Sequence, residues 1–332
     1  MKAVLSLNQF EEIILQPEKY SDWNNIFRHH IDVELDLAKE EIENLESDVN
    51  SVLFHYINST GGKFCNSLDH NFNVDESPSY IYFNDNLDLS IKGFLPINDN
   101  LDVPFKLSYA KSLEKNSEVN FQTYKGWKAL FLNKNLPSNS LIINDSYIFD
   151  DKENQTKLGS KNIIELLDTI LPKELDVDYH ILINTTTSKN KTASFYNAFV
   201  PQLISNIEAL RNYEIIIEIV IGKGFHKRKL FTNFLNVTTD KGFKIFDKRN
   251  HAKVLDHNDI IIETMFTRND PTQGDSQYDE MKIRLKELRK LITNALDWVN
   301  GELYKETENF YYSNLKQEVE IEIINRLIKS IE

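Results

Sequence analysis

The chain has one cysteine, Cys65, among 332 residues. That excludes an intrachain disulfide framework and any metal site built from paired thiolates. Nothing around Cys65 resembles a catalytic neighbourhood, and it is expected to be structural. Glycine and proline are scarce, 10 and 8, so the chain should be regular elements with short punctuation rather than a low-complexity tract. No apolar run approaches the roughly 20 residues of a membrane span. Residues 1–15 carry acids too early for a signal peptide. The expectation is a cytoplasmic protein with no membrane contact. Positive charge is lacking overall: a net charge of −13 argues against a generic basic coat for nucleic acid.

Several signature motifs are missing too. NDSYIFDDKENQT follows the first apolar run of the second half and contains no G-x-G-x-x-G, which disfavours a Rossmann dinucleotide site. Gly222-Lys223-Gly224 lacks the Gly-Lys-Ser/Thr of a P-loop, and no G-x-S-x-G elbow occurs. The E-x-K triplet Glu280-Met281-Lys282 sits in a charge-alternating helical stretch, a weak basis for a metal-dependent nuclease. An acidic pair of Asp145 with Glu214 or Glu218 is the other carboxylate grouping. No metal and no cofactor are expected.

What is present supports a real core, with 41% hydrophobic and 11% aromatic residues and room for two domains. Residues 1–30 read as a helical lead-in. A single long helix is predicted over about 31–58, where Leu35, Ala38, Ile42, Leu45, Val49, Val52 and Tyr56 step by three and four. Such a heptad seam packs on its own domain or pairs with a second copy. SYIYF, LDLSIKGFL, VPFKLSYA and VNFQTYKGWKALFL, within 63–135, read as antiparallel strands.

From Ser140 the pattern alternates between strand and helix. LIINDSYIF, YHILINTT and EIIIEIVI are near-continuously apolar, as strands covered on both faces should be. Helices over 159–171 and from about 194, with Pro201 near the first turn, separate them. KRKLFTNF, GFKIF and DIIIETMF read as further strands. A helix over 277–300 follows, and a final one over 313–331 carries Leu315, Val319, Ile323, Leu327 and Ile331 on one face. The predicted organisation is an N-terminal helix-plus-antiparallel-β module, residues 1–137, and an α/β domain, residues 138–332, with a mixed sheet flanked by helices.

Residues 214–246 concentrate the chemistry. Between Lys223 and Lys253 nine Lys or Arg stand against two Asp, a basic block in an acidic chain. Inside it His226-x-Arg228 is followed by four residues and Asn233. Residues two apart on a strand share a face, so His226 and Arg228 point together, an imidazole beside a guanidinium. Arginine holds two phosphate oxygens, and histidine attacks or exchanges a proton. Asn233 is an odd number of residues away and shares that face only across a strand end or bulge. A glycine turn at 240–242 returns backbone N–H groups toward the same edge. Lys223, Lys227, Lys229, Lys241 and Lys244 complete the candidate phosphate-binding set. His70 and its acidic neighbours sit in a polar loop and are not expected to be chemical.

H-x-R-x4-N after strand–helix–strand–helix–strand, followed by a turn with glycine before another strand, resembles the phospholipase D-like superfamily. That family's signature is H-x-K-x4-D with a small-residue turn. Asp145 and Tyr147 stand where many bacterial members carry an Asp-Pro-Tyr-like sequence. The likeness covers about 138–266 and departs at two positions, Arg228 for Lys and Asn233 for Asp. It implies a metal-independent phosphodiesterase in which one histidine forms a phospho-intermediate and a second protonates the leaving group. His251-Ala252-Lys253 with Asn258 repeats the spacing but follows too soon, in a polar stretch. A homodimer joining two copies of His226 is therefore implied for an active enzyme. The resemblance also implies a nuclease of a bacterial antiphage or restriction system. The alternative is a non-catalytic subunit that binds nucleic acid or a nucleotide and recruits a partner protein through the heptad helix and the C-terminal helices.

Overall fold

The computed structural model describes residues 1–29, 34–37, 39–51, 53–55, 63–65, 73–75, 77–83, 89–98, 101, 125–132, 135–150, 157–188, 191–222, 228–247, 249, 260–267, 277–300, 310–315 and 322–331. The chain divides into two compact units, Met1–Val103 and Pro104–Glu332. The boundary expected at 137/138 falls inside the second.

The first unit contains β1 (Lys2–Val4), α1 (Leu7–Leu15), α2 (Ser21–His29), β2 (Glu34–Asp36), α3 (Lys39–Ser47), β3 (Lys63–Cys65), β4 (Tyr80–Phe83) and β5 (Leu95–Ile97). Its strands form one sheet in the order β3-β2-β1-β4-β5, and every pairing is parallel. Helix α1 starts where Ser6 and Gln9 make a reciprocal capping box. It buries Phe10 and Ile13, and α2 adds Trp23.

Two expectations for this unit are overturned. The heptad helix over 31–58 does not form: Leu35 lies in β2, and α3 ends at Ser47. Pairing of residues 34–36 with β1 and β3 outweighs the local helical spacing. An Asx turn, Asn50 N–H to Asp48 Oδ1 at 3.3 Å, follows the helix and leaves Val49 exposed. The antiparallel reading also fails, because the sheet is parallel. Within LDLSIKGFL, residues Ser90–Lys92 form a 3-10 turn closed by Gly93 at φ 75° before β5 begins. VPFKLSYA lies outside the described residues.

The second unit contains α4 (Trp127–Leu130), β6 (Ser140–Asn144), α5 (Leu158–Ile170), β7 (Tyr179–Thr186), α6 (Ala193–Glu208), β8 (Ile215–Gly222), β9 (Arg228–Thr232), β10 (Leu235–Thr239), β11 (Ile260–Thr264), α7 (Gln277–Asn300), β12 (Phe310–Ser313) and α8 (Arg326–Lys329). Its sheet has seven strands in the order β11-β10-β9-β6-β7-β8-β12. β6, β7 and β8 are parallel, joined by the crossovers α5 and α6; the remaining pairings are antiparallel.

Side chains alternate between two cores. Leu141, Ile143, Ile181, Ile183, Ile217 and Ile219 pack with α4, α5 and α6. Ile142, Leu182, Val220 and Phe231 pack with Met281, Leu285, Leu288 and Ile292 of α7 and with Leu327 and Ile328 of α8. Each buried Leu or Ile contributes about 1.5–3 kcal/mol of transfer free energy. Burial on both faces explains the unbroken apolar runs, and mixed α/β architecture with helices on both sides is what those runs predict.

The second unit departs from the expected elements at several places. The strand from Arg228 folds back at Asn233, so that β10 pairs with β9 and Thr239 lies opposite Arg228. GFKIF is a loop rather than a strand, because its backbone is held by side chains of β6's end and α5. VNFQTYKGWKALFL yields the helical turn α4 in its described part. Pro201 sits inside α6 rather than in its first turn. Among the described residues of the expected final helix, Ser313 closes β12 and Arg326–Lys329 is helical. No described helix is long and apolar enough to cross a membrane.

Candidate anion-binding site at the carboxyl edge of the second sheet

The site grows from the end of β6. Asp145 follows the last paired residue of that strand, and its N–H donates to Asn184 O at 3.0 Å. Its side chain is 1% exposed and accepts two backbone hydrogen bonds. Tyr147 N–H reaches Oδ1 at 2.9 Å, and Phe243 N–H reaches Oδ2 at 2.7 Å. One carboxylate thus ties the turn after β6 to the loop after β10.

The loop fits only because residue 242 is glycine. Gly242 has φ 89°, and a Cβ there would lie 2.6 Å from Asp145 Oδ1. Its N–H donates to Thr239 Oγ1 at 3.0 Å. Further along, Asn162 of α5 bonds both the N–H and the C=O of Phe246 at 2.9 Å. Phe243 and Phe246 sink into the core against Trp127, with centroids 6.2 and 5.2 Å away. Lys241 is left exposed, and Lys244 Nζ donates to Asp150 O at 2.7 Å.

Arg228 opens β9 beside this loop. Its Nη1 donates to Asp240 O at 3.0 Å, and its guanidinium carbon lies 4.7 Å from the centroid of the Tyr147 ring. Burial pushes the Asp145 carboxyl pKa up. The Phe243 and Tyr147 N–H groups, and then the charges of Arg228 and Lys244, oppose that shift. Arg228 and Lys244 thus lie near the buried acid, with Asp240 and Asp150 supplying the carbonyls they bond, at the carboxyl end of parallel strands where open α/β sheets receive ligands.

The expected site residues separate into groups. Arg228, Lys241 and Lys244 come together at this edge. Lys229 faces the other side of the sheet, 5% exposed, with Nζ 3.0 Å from Glu280 of α7. Strand alternation alone separates it from Arg228. Asn233 lies at the far end of β9, fully buried. Its Oδ1 accepts from the N–H of Asn139 and of Ser140 at 3.0 and 3.1 Å, and its Nδ2 donates to Asn139 Oδ1 at 3.1 Å. His226, Lys223 and Lys227 lie outside the described residues, as does the second spacing at His251.

The alternative acidic groupings do other work. Glu280 pairs with Lys229 and Arg284, and Lys282 pairs with Asp279. Glu218, 1% exposed, accepts from Ile324 N–H, Asn325 N–H and Tyr311 Oη, at 3.0, 2.8 and 3.0 Å. Burial lifts its pKa to about 7. Next to it, Asn325 donates to Leu141 O at 3.1 Å, and Arg326 and His180 both engage Asp178. Those two partners, His180 first, hold the Asp178 carboxyl well below its usual range. This group fastens the C-terminal segment to the sheet.

Sequence reasoning noticed Asp145 as the end of a strand but not its partnership with Gly242. The signal available was an acid directly after LIIN, where a buried strand reaches its ligand-facing end. No protein-family model and no curated protein matches the chain.

Proposed function

We propose that the protein binds a phosphodiester ligand, a nucleic acid or nucleotide, at the carboxyl edge of its second sheet, and that it is a phospholipase D-like phosphodiesterase there. The observation that carries the reading is the convergence of Arg228, Lys241 and Lys244 from two elements onto one edge, fixed by buried Asp145. Arginine supplies a forked donor for phosphate oxygens and lysine a mobile point charge. His226 precedes Arg228 by two residues and is the nucleophile of this reading. Its imidazole nitrogen bonds to phosphorus as the alkoxide leaves, taking a proton from the His226 of a second copy. Water then releases the phosphate from histidine. The setting that goes with this chemistry is a metal-independent nuclease of a bacterial antiphage or restriction system.

One observation favours a second reading, a non-catalytic binding subunit. Asp145, the acid beside Arg228 and Lys244, is buried and committed to backbone donors, so it serves to shape an anion-holding edge rather than to move protons. Hydrolysis of labelled DNA and RNA in EDTA, by wild type and His226→Ala, separates the two. Turnover lost in the variant with folding intact supports the enzyme. Wild-type binding that weakens with salt, without any cleavage, supports the binding subunit. Affinity unchanged in an Arg228→Ala, Lys241→Ala, Lys244→Ala triple variant removes the edge from both readings.

A further inference from the structure

Tyr147 is an exposed aromatic, 38% accessible, in a turn whose other large residues, Ile148 and Phe149, are 1% and 3% accessible. A partly exposed aromatic directly ahead of two buried residues is more than packing alone requires, and the backbone that carries it is held at several points. Tyr147 N–H is held by Asp145 Oδ1 at 2.9 Å, and Ser146 C=O accepts from Thr186 Oγ1 at 2.7 Å. Asp150 N–H closes the turn onto Tyr147 O at 3.2 Å. The same residue, Asp145, positions both this ring and the loop that carries Lys241 and Lys244.

Arg228 covers one side of the ring with its guanidinium at 4.7 Å. A planar cation on one face polarises the ring, and the part of Tyr147 that reaches solvent is where a second planar group would stack. Beside it stand cations spread over more than one residue, a layout for successive phosphates rather than for one. A phosphodiester strand laid along these cations carries a base beside each phosphate. In a duplex those bases are paired and stacked inside the helix, out of reach of a ring at the phosphate level. In a single strand they are free to stack on an aromatic platform.

We infer that the ligand of this edge is single-stranded nucleic acid, with one base stacked on Tyr147 and the adjoining phosphates held by Arg228, Lys241 and Lys244. The inference rests on the reading of the edge as a phosphodiester site and narrows it to a strand class. Because the Tyr147 backbone is held and Arg228 already lies against the ring, part of the ordering that stacking needs is in place before the ligand arrives. Any base offers a π-face, so the edge discriminates by strandedness and only weakly by sequence.

The test is fluorescence anisotropy with the full chain and end-labelled oligonucleotides of about 12 nucleotides, within the usual range of single-strand sites. Four probes are compared: single-stranded DNA, single-stranded RNA, the DNA duplex, and an abasic strand with the same phosphates. A mononucleotide serves as competitor. Tighter wild-type binding of the base-bearing strands than of the duplex or abasic strand is expected. Tyr147→Ala should weaken the base-bearing strands roughly tenfold to hundredfold and bring them level with the abasic strand. Tyr147→Phe, which keeps the π-face, should stay close to wild type. Melting curves verify that these exposed substitutions leave the fold intact. Equal wild-type affinity for base-bearing and abasic strands, or indifference to Tyr147→Ala, overturns the inference. If Arg228→Ala still abolishes binding in that case, the phosphodiester reading survives it. A mononucleotide that displaces the strand at equal concentration also overturns it, in favour of a nucleotide site. Wild type that binds none of the four probes overturns both.

Discussion

The two ends of β9 carry residues of one sequence motif and do opposite things. At the Asn233 end every polar atom of the side chain is buried and paired, with Asn139 and Ser140 as partners. Nearby, Asn325, Glu218 and His180 are buried and paired in the same way, with half-buried Asp178 holding His180 from outside. At the Arg228 end a single buried carboxylate is surrounded by side chains that reach solvent. A closed network of buried polar groups fixes a fold, because leaving any member unpaired is costly. Solvent-facing cations around a rigid anchor cost little to rearrange and suit a ligand. Residue type does not separate the two ends; satisfaction of hydrogen bonds does.

The largest expected effect lies at the closed end. Asn233→Ala strips partners from two buried N–H groups and one amide oxygen and should destabilise by about 3–5 kcal/mol in denaturant titration. Asn233→Asp should be milder, since a carboxylate still accepts both N–H groups and the Asn139 amide can turn to donate. If Asn233→Ala unfolds at the wild-type denaturant midpoint, the distinction between the ends collapses.

Glu218 gives the next effect, through pH. Its folded pKa, about 7, lies above the ordinary 4.5, so the folded state holds its proton more tightly than the unfolded one. That contribution is complete below pH 4.5 and is lost as pH rises through 7, a fall of about 3 kcal/mol at most. Stability of Glu218→Gln, measured against wild type across this window, should lack that slope, whatever constant offset the lost acceptor adds. Parallel curves would remove Glu218 from the closed network's titration.

A smaller effect connects the two ends. Gly242→Ala should cost about 1–3 kcal/mol from its φ and its clash with Asp145, and should weaken oligonucleotide binding by misplacing Lys241 and Lys244. Lost stability with unchanged affinity would show that the loop's geometry does not serve the edge. The smallest stability change belongs to Lys241→Ala, within about 0.5 kcal/mol. Its signature is instead a salt dependence of binding shallower by about one phosphate contact.

Much of the second unit was legible because its strands are buried on both faces and its helices keep one apolar stripe. YHILINTT, EIIIEIVI and DIIIETMF all contain strands where the runs predict them, and α7 spans Gln277–Asn300 as predicted. The failures share a cause. Leu35 and its neighbours carry helical spacing, yet their partners are two strands distant in sequence. GFKIF looks like a strand, yet Asp145 and Asn162 engage backbone groups within it that a neighbouring strand would otherwise take. At the site, the local rule that residues two apart share a face separates Lys229 from Arg228. Asn233 needed knowledge of the hairpin, which only the pairing with β10 reveals.

The alternation of Arg228 and Lys229 has a consequence for how this chain tolerates changes of length. Asn233 pins the far end of β9, and register counts back from it. An insertion ahead of Arg228 lengthens the approach to the strand and leaves each side chain on its own side. A one-residue deletion between Arg228 and Asn233 exchanges the sides, sending the guanidinium toward Glu280 beneath α7 and forcing the lysine into the buried place of Leu230. A change of length ahead of β9 should therefore be tolerated better than one between Arg228 and Asn233, where geometry holds the count.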